Sequence, residues 1–162
     1  MTLRLAISGS AGTGKSSLAA GLASYLKVPY LEENFRKRRE KGLIFQDLSR
    51  LEQSLLIRDL YRDAIDQAVK CSDGFVQDRC PIDFLAFWFH YGFWSEDKQS
   101  MWLFDRAQQD LLHYDRIIIL PWGVFDIEED GIRSTNRWLQ LKFQALLEGL
   151  ISRFCPKELI YW

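Results

Sequence analysis

Hydrophobic residues fall along the chain in two alternating rhythms. Short apolar runs occur at Leu3–Ser8, Val28–Leu31, Phe75–Gln77, Arg116–Leu120 and Leu159–Tyr161, as expected of strands buried on both faces. Between them, apolar positions recur every three or four residues, the helical period. Lys15–Leu26 carries Leu18, Ala19, Leu22, Ala23 and Leu26 and stops before Pro29. A long amphipathic helix is predicted through Leu48, Leu51, Leu55, Leu56, Leu60, Ala64, Ile65 and Ala68, ended by Gly74. Ile82–Phe93 and Gln99–Leu112 predict two more, and a last helix runs from about Asn136 to Phe154. Alternating strands and helices imply a parallel sheet covered on both faces. The pattern therefore predicts one α/β domain of three layers, residues 1–162, with a five-stranded parallel sheet.

Composition narrows the field of partners. The 162 residues are 48% hydrophobic, enough for a real core, and 21 Lys+Arg against 22 Asp+Glu leave a net charge of −1. No whole-molecule positive field draws in nucleic acid or an anionic membrane, so such a contact must come from a local patch. No apolar stretch is long enough to span a bilayer, and the N-terminus lacks the apolar core of a signal peptide. Cys71, Cys80 and Cys155 have no metal-ligand spacing and read as reduced thiols of a cytoplasmic protein.

The chemistry begins after the first strand. Gly9-Ser10-Ala11-Gly12-Thr13-Gly14-Lys15-Ser16, with Ser17 following, fits the P-loop pattern G-x-x-x-x-G-K-[ST] between a strand and a helix. Its glycines let backbone N–H groups turn inward around a β-phosphate, and the helix N-terminus adds partial positive charge. Lys15 is expected to reach the β- and γ-phosphates of ATP, and the Ser16 hydroxyl to hold Mg²⁺.

Three further sets lie at the carboxyl ends of later strands, where open α/β sheets place ligands. Glu32 or Glu33, after the second strand, is positioned to take a proton from an attacking hydroxyl. Asp78 and Arg79 follow the third strand; Asp78 suits Mg²⁺ and Arg79 suits phosphate charge. Asp130-Gly131-Ile132-Arg133-Ser134-Thr135-Asn136-Arg137 lies before the last helix. A lid of about residues 122–137 is expected there, bringing Arg133 or Arg137 onto the transferring phosphate.

The set Gly9–Ser16, Glu33-x-x-Arg36, Asp78-Arg79-x-Pro81-x-Asp83 and Asp130-Gly131-x-Arg133 resembles the P-loop small-molecule kinases grouped as AAA-like ATPase/kinase domains. These are of the ribosylnicotinamide-kinase type and, more distantly, deoxynucleoside and thymidylate kinases. The resemblance implies a P-loop kinase fold with the P-loop strand in the middle of the sheet, a lid before the last helix, and Mg-ATP as donor. It implies Glu33 or Glu32 as acceptor base, Asp78 and Arg79 as the magnesium and phosphate pair, and Arg133 as the lid arginine. Relatives continue beyond the last strand into a loop and helix that contact the donor base, so the sequence leaves base selectivity open.

The acceptor is expected to be nucleoside-like. Phe84, Phe87, Trp88, Phe89, Tyr91, Phe93 and Trp94 are mostly core at helical spacing, with some free to stack on a flat ring. His90 reads as a packed histidine. Arg36-Lys37-Arg38-Arg39-Glu40-Lys41 places five cations just beyond the expected base. Arg36, Arg38 and Arg39 either bind a polyanion or belong to a solvated charged face. The first option makes the acceptor a modified base in DNA, as in the phage hydroxymethyl-pyrimidine DNA kinases that the chain also resembles, acting in a host cytoplasm. Asp126, Glu128, Glu129 and Asp130 form an acidic cluster able to pair with the basic run when the lid shuts. A nucleotide-dependent switch with little transfer activity is the contrasting class, and a homodimer is left open.

Overall fold

Arg4–Ser8 (β1) is the middle strand of a five-stranded sheet in a computed structural model that describes residues 3–71, 73–125 and 135–162. The others are β2 (Tyr30–Leu31), β3 (Phe75–Asp78), β4 (Arg116–Ile119) and β5 (Ile160–Tyr161). They lie in the order β2-β3-β1-β4-β5 with every pairing parallel. The expected three-layer α/β P-loop kinase fold, with the P-loop strand central, is the observed one.

Helices α1 (Lys15–Leu26), α2 (Asn34–Glu40), α3 (Arg50–Lys70), α4 (Pro81–His90), α5 (Asp97–Gln109) and α6 (Arg137–Phe154) fill the connections. Side chains alternate across a strand, and the two faces meet different helices. Leu5, Ile7 and Val76 pack on Ala19 and Ala23 of α1. Ala6, Phe75, Ile117 and Ile119 face the larger core built by α3, α4, α5 and α6. Among these helices α4 is the most deeply set, with Ile82, Phe84, Leu85, Ala86 and Trp88 essentially inaccessible.

Several element ends have local causes. Ser49 caps α3 through a reciprocal capping box with Glu52. Asn136 caps α6, its side-chain oxygen accepting from the Trp138 and Leu139 N–H groups. Lys27, in the left-handed region at φ 56°, closes α1. The helix expected to reach Phe93 stops at His90, because Gly92 at φ 80° turns the chain into a short 3₁₀ segment, Phe93–Ser95. The second strand begins after Pro29 and is two residues shorter than the apolar run. Its carbonyl neighbour Pro29 still accepts from the Val76 N–H at 3.0 Å. The basic run forms α2, which buries none of its residues.

Several polar groups in the core are paired. Gln77 donates to the Ala64 carbonyl at 2.9 Å and accepts from the Tyr114 hydroxyl at 2.7 Å. Tyr61 donates to Asp110. Arg4 joins Asp115 through side-chain contacts at 2.9 and 3.2 Å, tying β1 to the turn before β4. Cys71, Cys80 and Cys155 are free thiols, and among the described residues no helix is long and apolar enough to cross a membrane.

Candidate active site

Strand alternation decides which side chains reach the site. Ser8 shares the sheet face of Ala6 and Gln77, toward α4, and its hydroxyl donates to Asp83 at 2.5 Å. Asp78 is paired with Ile7 on the α1 face, so its carboxylate meets the start of α1 and accepts from Ser16 Oγ at 2.5 Å. The two strand ends thus hold the P-loop from both faces.

The loop itself is folded as the motif requires. Gly9 sits at φ 143°, and a Cβ there would lie 3.1 Å from both the Leu120 carbonyl and Thr13 Oγ1. Gly12 and Gly14 take φ 79° and 86°, left-handed values that other residues adopt only with strain. Lys15 curls back to donate to the Ser10 carbonyl at 2.6 Å, and Thr13 donates to the same oxygen at 2.9 Å. From α6, Gln144 accepts from the Ser10 N–H at 2.7 Å and donates to the Leu120 carbonyl at 3.0 Å. Lys15 is buried, and desolvation first, then the nearby Arg79 charge, lowers its pKa to about 7. A bound triphosphate would reverse that preference by placing negative charge against the ammonium.

Arg79 is fixed to an unusual degree. Its backbone stands at φ 83°, and its N–H donates to the Ile7 carbonyl at 2.9 Å. The guanidinium donates to Asp83 Oδ1 at 3.1 Å and lies 3.6 Å from Glu33 Oε2. It also lies over the Phe87 ring at 4.6 Å and 6.0 Å from the Phe143 centroid. Burial opposes its charge, but Glu33, Asp83 and Asp78 outweigh it and its pKa is raised. Asp83 in turn is wholly buried and accepts from Ser8 and from the Cys80 N–H at 2.9 Å.

Glu33 is the N-cap residue of α2, brought to the sheet's carboxyl edge by β2. Burial raises its pKa, and the Arg79 charge pulls it partly back. One of its oxygens, Oε1, is buried without a hydrogen-bond partner, as is Asp78 Oδ1.

A cavity of about 420 Å³ unites these groups. Lys15, Ser16, Ser17, Asp78, Arg79, Glu33 and Glu32 line it together with Phe35, Phe87, Tyr91, Phe143, His90 and Gln46. Of the aromatic series after Asp78-Arg79, Phe84, Trp88 and Phe93 are core, whereas Phe87 and Tyr91 reach the cavity. Burial, with Lys142 adding to it, lowers the His90 pKa and favours the neutral imidazole.

The basic run divides. Arg36 and Arg39 line the cavity, one turn apart on α2, and Arg39 lies 5.7 Å from the Phe35 ring. Arg38 turns outward to Asp63 of α3 at 2.9 Å and is not brought into the site. Lys37 pairs with Glu32 at 2.8 Å, and Arg36 with Glu40 at 3.1 Å. Glu32 thus lines the cavity while paired with Lys37, and Glu33 is the carboxylate that meets Arg79. Arg137 lies beside Trp122 and Trp138 in a second hollow rather than in the main cavity. Arg133, and the acidic cluster at Asp126 and Glu128–Asp130, lie outside the described residues.

Some contributors escape a reading of motifs. Gln144 secures the P-loop, and Gln140, Phe143 and Gln46 line the cavity. A signal existed for the first two: Gln140 and Gln144 sit one turn apart on the stripe of α6 that buries Phe143, Leu147 and Ile151. A polar pair on an otherwise apolar face asks for a partner.

Ser16 and Asp78 supply one hydroxyl and one carboxylate, an oxygen set that suits Mg²⁺ completing its shell with water and phosphate. The unpartnered Asp78 Oδ1 leaves acceptor capacity for it.

Fold and site together define a P-loop kinase-like domain. The chain belongs to the AAA domain family, whose pattern it matches over residues 4–159. No curated protein matches it in sequence. Among solved structures it is similar to a NadR protein in complex with NR, with TM-score 0.74 and 16% identity over 99% of this chain and 43% of that one. A NadR protein in complex with NAD and AMP-PNP gives TM-score 0.68 and 17% identity over 99% and 44%. The thymidylate kinase from Ehrlichia chaffeensis gives 0.59 and 14% over 99% and 91%. The chain therefore spans less than half the length of the NadR chains.

Proposed function

We propose that this domain is a Mg-ATP-dependent kinase that transfers the γ-phosphate to a hydroxyl of a nucleoside-like acceptor. The observation that carries this reading is the meeting, in one cavity, of the P-loop with a buried carboxylate, Glu33, and a set of aromatic rings. A nucleotide switch has no need of the last two.

In this account the P-loop amides and Lys15 hold the donor's phosphates. Ser16 and Asp78 hold Mg²⁺, which when bound neutralises charge on the β- and γ-phosphate oxygens. The acceptor ring lies among Phe35, Phe87 and Tyr91, directing its hydroxyl to Glu33. The acceptor oxygen forms a bond to the γ-phosphorus while the bond to the β–γ bridging oxygen breaks, and ADP leaves. The hydroxyl proton passes to Glu33, whose raised pKa makes it a better base than an exposed glutamate. Arg79, immobilised between Asp83 and Phe87, offsets charge on the transferring group without reorganising. The NadR and thymidylate kinase likenesses support this reading through shared architecture.

A second reading places the acceptor hydroxyl on a modified base within DNA. The presence of Arg36 and Arg39 in the cavity lining favours it, since two guanidiniums beside an acceptor suit a phosphate-bearing strand. Transfer of ³²P from labelled ATP with Mg²⁺, to free nucleosides and to DNA containing hydroxymethyl-pyrimidines, tests both. Label on a free nucleoside supports the first reading and label on DNA the second. Tight ATP binding with label on neither would favour the switch.

A further inference from the structure

Where β1 and β4 part to make room for the P-loop, a side chain stands in for the main chain. The last rung of their ladder is the Leu120 N–H, which donates to the Ser8 carbonyl at 2.9 Å. In a parallel pair, a residue that donates to one carbonyl accepts from the N–H two positions further along the same neighbour. A regular ladder would therefore next join the Ser10 N–H to the Leu120 carbonyl. Instead the Gln144 amide of α6 lies between them. Its Oε1 accepts from the Ser10 N–H at 2.7 Å, and its Nε2 donates to the Leu120 carbonyl at 3.0 Å and to Glu148 Oε1 at 2.6 Å. We propose that Gln144 is a positioning residue for the phosphate donor: as a side-chain rung it fixes the Gly9–Ser10 turn and presets the P-loop for phosphate. The role rests on the kinase reading above, in which the P-loop holds the donor.

The position calls for a primary amide. One acceptor and two donors are used there, with Gln144 and Ser10 both buried. Glutamine supplies all three, whereas an ionised glutamate lacks the donors and a methionine offers no comparable group. Without the amide, the Ser10 N–H becomes a buried donor with no partner, a state costly enough to drive the loop toward another shape. Ser10 is also the residue that orients the phosphate lysine, since its carbonyl accepts from Lys15 Nζ at 2.6 Å and from the Thr13 hydroxyl at 2.9 Å. The turn has little slack, because a Cβ on Gly9 would lie 3.1 Å from the Leu120 carbonyl.

Substitution by glutamate turns the bond pattern into a pH readout. The charged groups around the rung are Glu148 on α6, Lys15 at the Ser10 carbonyl, and Arg79, 3.4 Å from the Gly9 carbonyl and bonded to Asp83. In Gln144→Glu an ionised carboxylate still accepts from Ser10 but meets the Leu120 carbonyl and Glu148 with no donor. Once protonated, it can donate again.

Calorimetry with Mg²⁺ measures binding of ATP and of inorganic tripolyphosphate to the full chain, Gln144→Met and Gln144→Glu at pH 8 and pH 5.5, with Tm recorded for each. Gln144→Met should weaken both ligands alike, by roughly five- to a hundred-fold, the scale of one buried donor left unpaired. The deficit of Gln144→Glu relative to wild type should be large at pH 8 and several-fold smaller at pH 5.5, a comparison that stands even if the methionine variant fails to fold. A residue that only packs α6 would lower Tm and leave the affinity of the folded variants at the wild-type value. That result, a glutamate deficit independent of pH, or a loss of ATP with tripolyphosphate unchanged overturns the positioning role and leaves the kinase reading intact. A wild-type chain that binds neither ligand overturns both.

Discussion

Asp83 accepts a hydrogen bond from Arg79 at 3.1 Å, with the carboxylate wholly buried in the first turn of α4. The same carboxylate accepts from Ser8 at the end of β1 and from the Cys80 N–H. One group therefore joins the P-loop strand, the cap of α4 and the site arginine. Removing it leaves a buried guanidinium whose remaining carboxylate, Glu33, is 3.6 Å away. Breaking a buried pair in this way costs about 3–5 kcal/mol. Asp83→Ala should lower the urea midpoint accordingly. Asp83→Asn, which keeps the shape, should retain the fold and lose turnover more than nucleotide affinity. Equal loss of both in the Asn variant would contradict a positioning role.

Lys15 is held at a cost to the empty protein. Burial, reinforced by Arg79, lowers its pKa from the unfolded value of 10.5 to about 7. Between those values the unfolded chain binds more protons than the folded one, so this residue makes stability rise with pH across that window. Lys15→Met removes the charge and should raise Tm near pH 7.5, by roughly 2–4 °C for each kcal/mol recovered. The advantage should shrink toward pH 10, and the variant should no longer bind ATP. Thermal unfolding of both proteins at the two pH values checks the sign. A variant less stable at pH 7.5 would contradict the burial argument.

Arg38 and Arg39 are adjacent in sequence and opposed in role. Arg38 pairs with Asp63 outside the cavity, a half-exposed contact worth at most about 1 kcal/mol. Arg39 lines the cavity and lies 5.7 Å from the Phe35 ring. Arg39→Ala should raise the acceptor KM several-fold with little change in Tm, whereas Arg38→Ala should leave KM alone and lower Tm slightly. Steady-state kinetics on the two variants separates them; matched KM effects would mean that the whole run tracks a polyanion.

The scaffold was legible because its signals are local. Buried parallel strands are apolar runs, α1 and α3 carry the helical period, and the P-loop is written in contiguous residues. Asp78 and Arg79 were found because strand ends in such sheets face ligands. Other features depend on how elements pack. A charged run such as Arg36–Lys41 reads alike as loop or helix, and only the orientation of α2 decides that Arg39 faces the cavity and Arg38 faces Asp63. Arg137 looked like a phosphate ligand, but its place beside Trp122 depends on residues 15 positions apart in sequence meeting in space. Asp83 was visible as part of a motif, yet its convergence with Ser8 follows from β1's register against β3 and the depth of α4.

The central claim is that Glu33 receives the acceptor's proton. Its environment raises its pKa above that of an ordinary glutamate, so transfer should fall on acidification at a pH above the usual carboxylate range. Glu33→Gln should abolish that acid limb and cut kcat by roughly 10²–10⁴-fold while ATP affinity holds. The measurement is ³²P transfer from Mg-ATP to the acceptor identified in the panel, across pH, for wild type and Glu33→Gln, with ATP binding followed in parallel. Turnover in the variant within a few-fold of wild type, with the acid limb still present, would show that another group takes the proton.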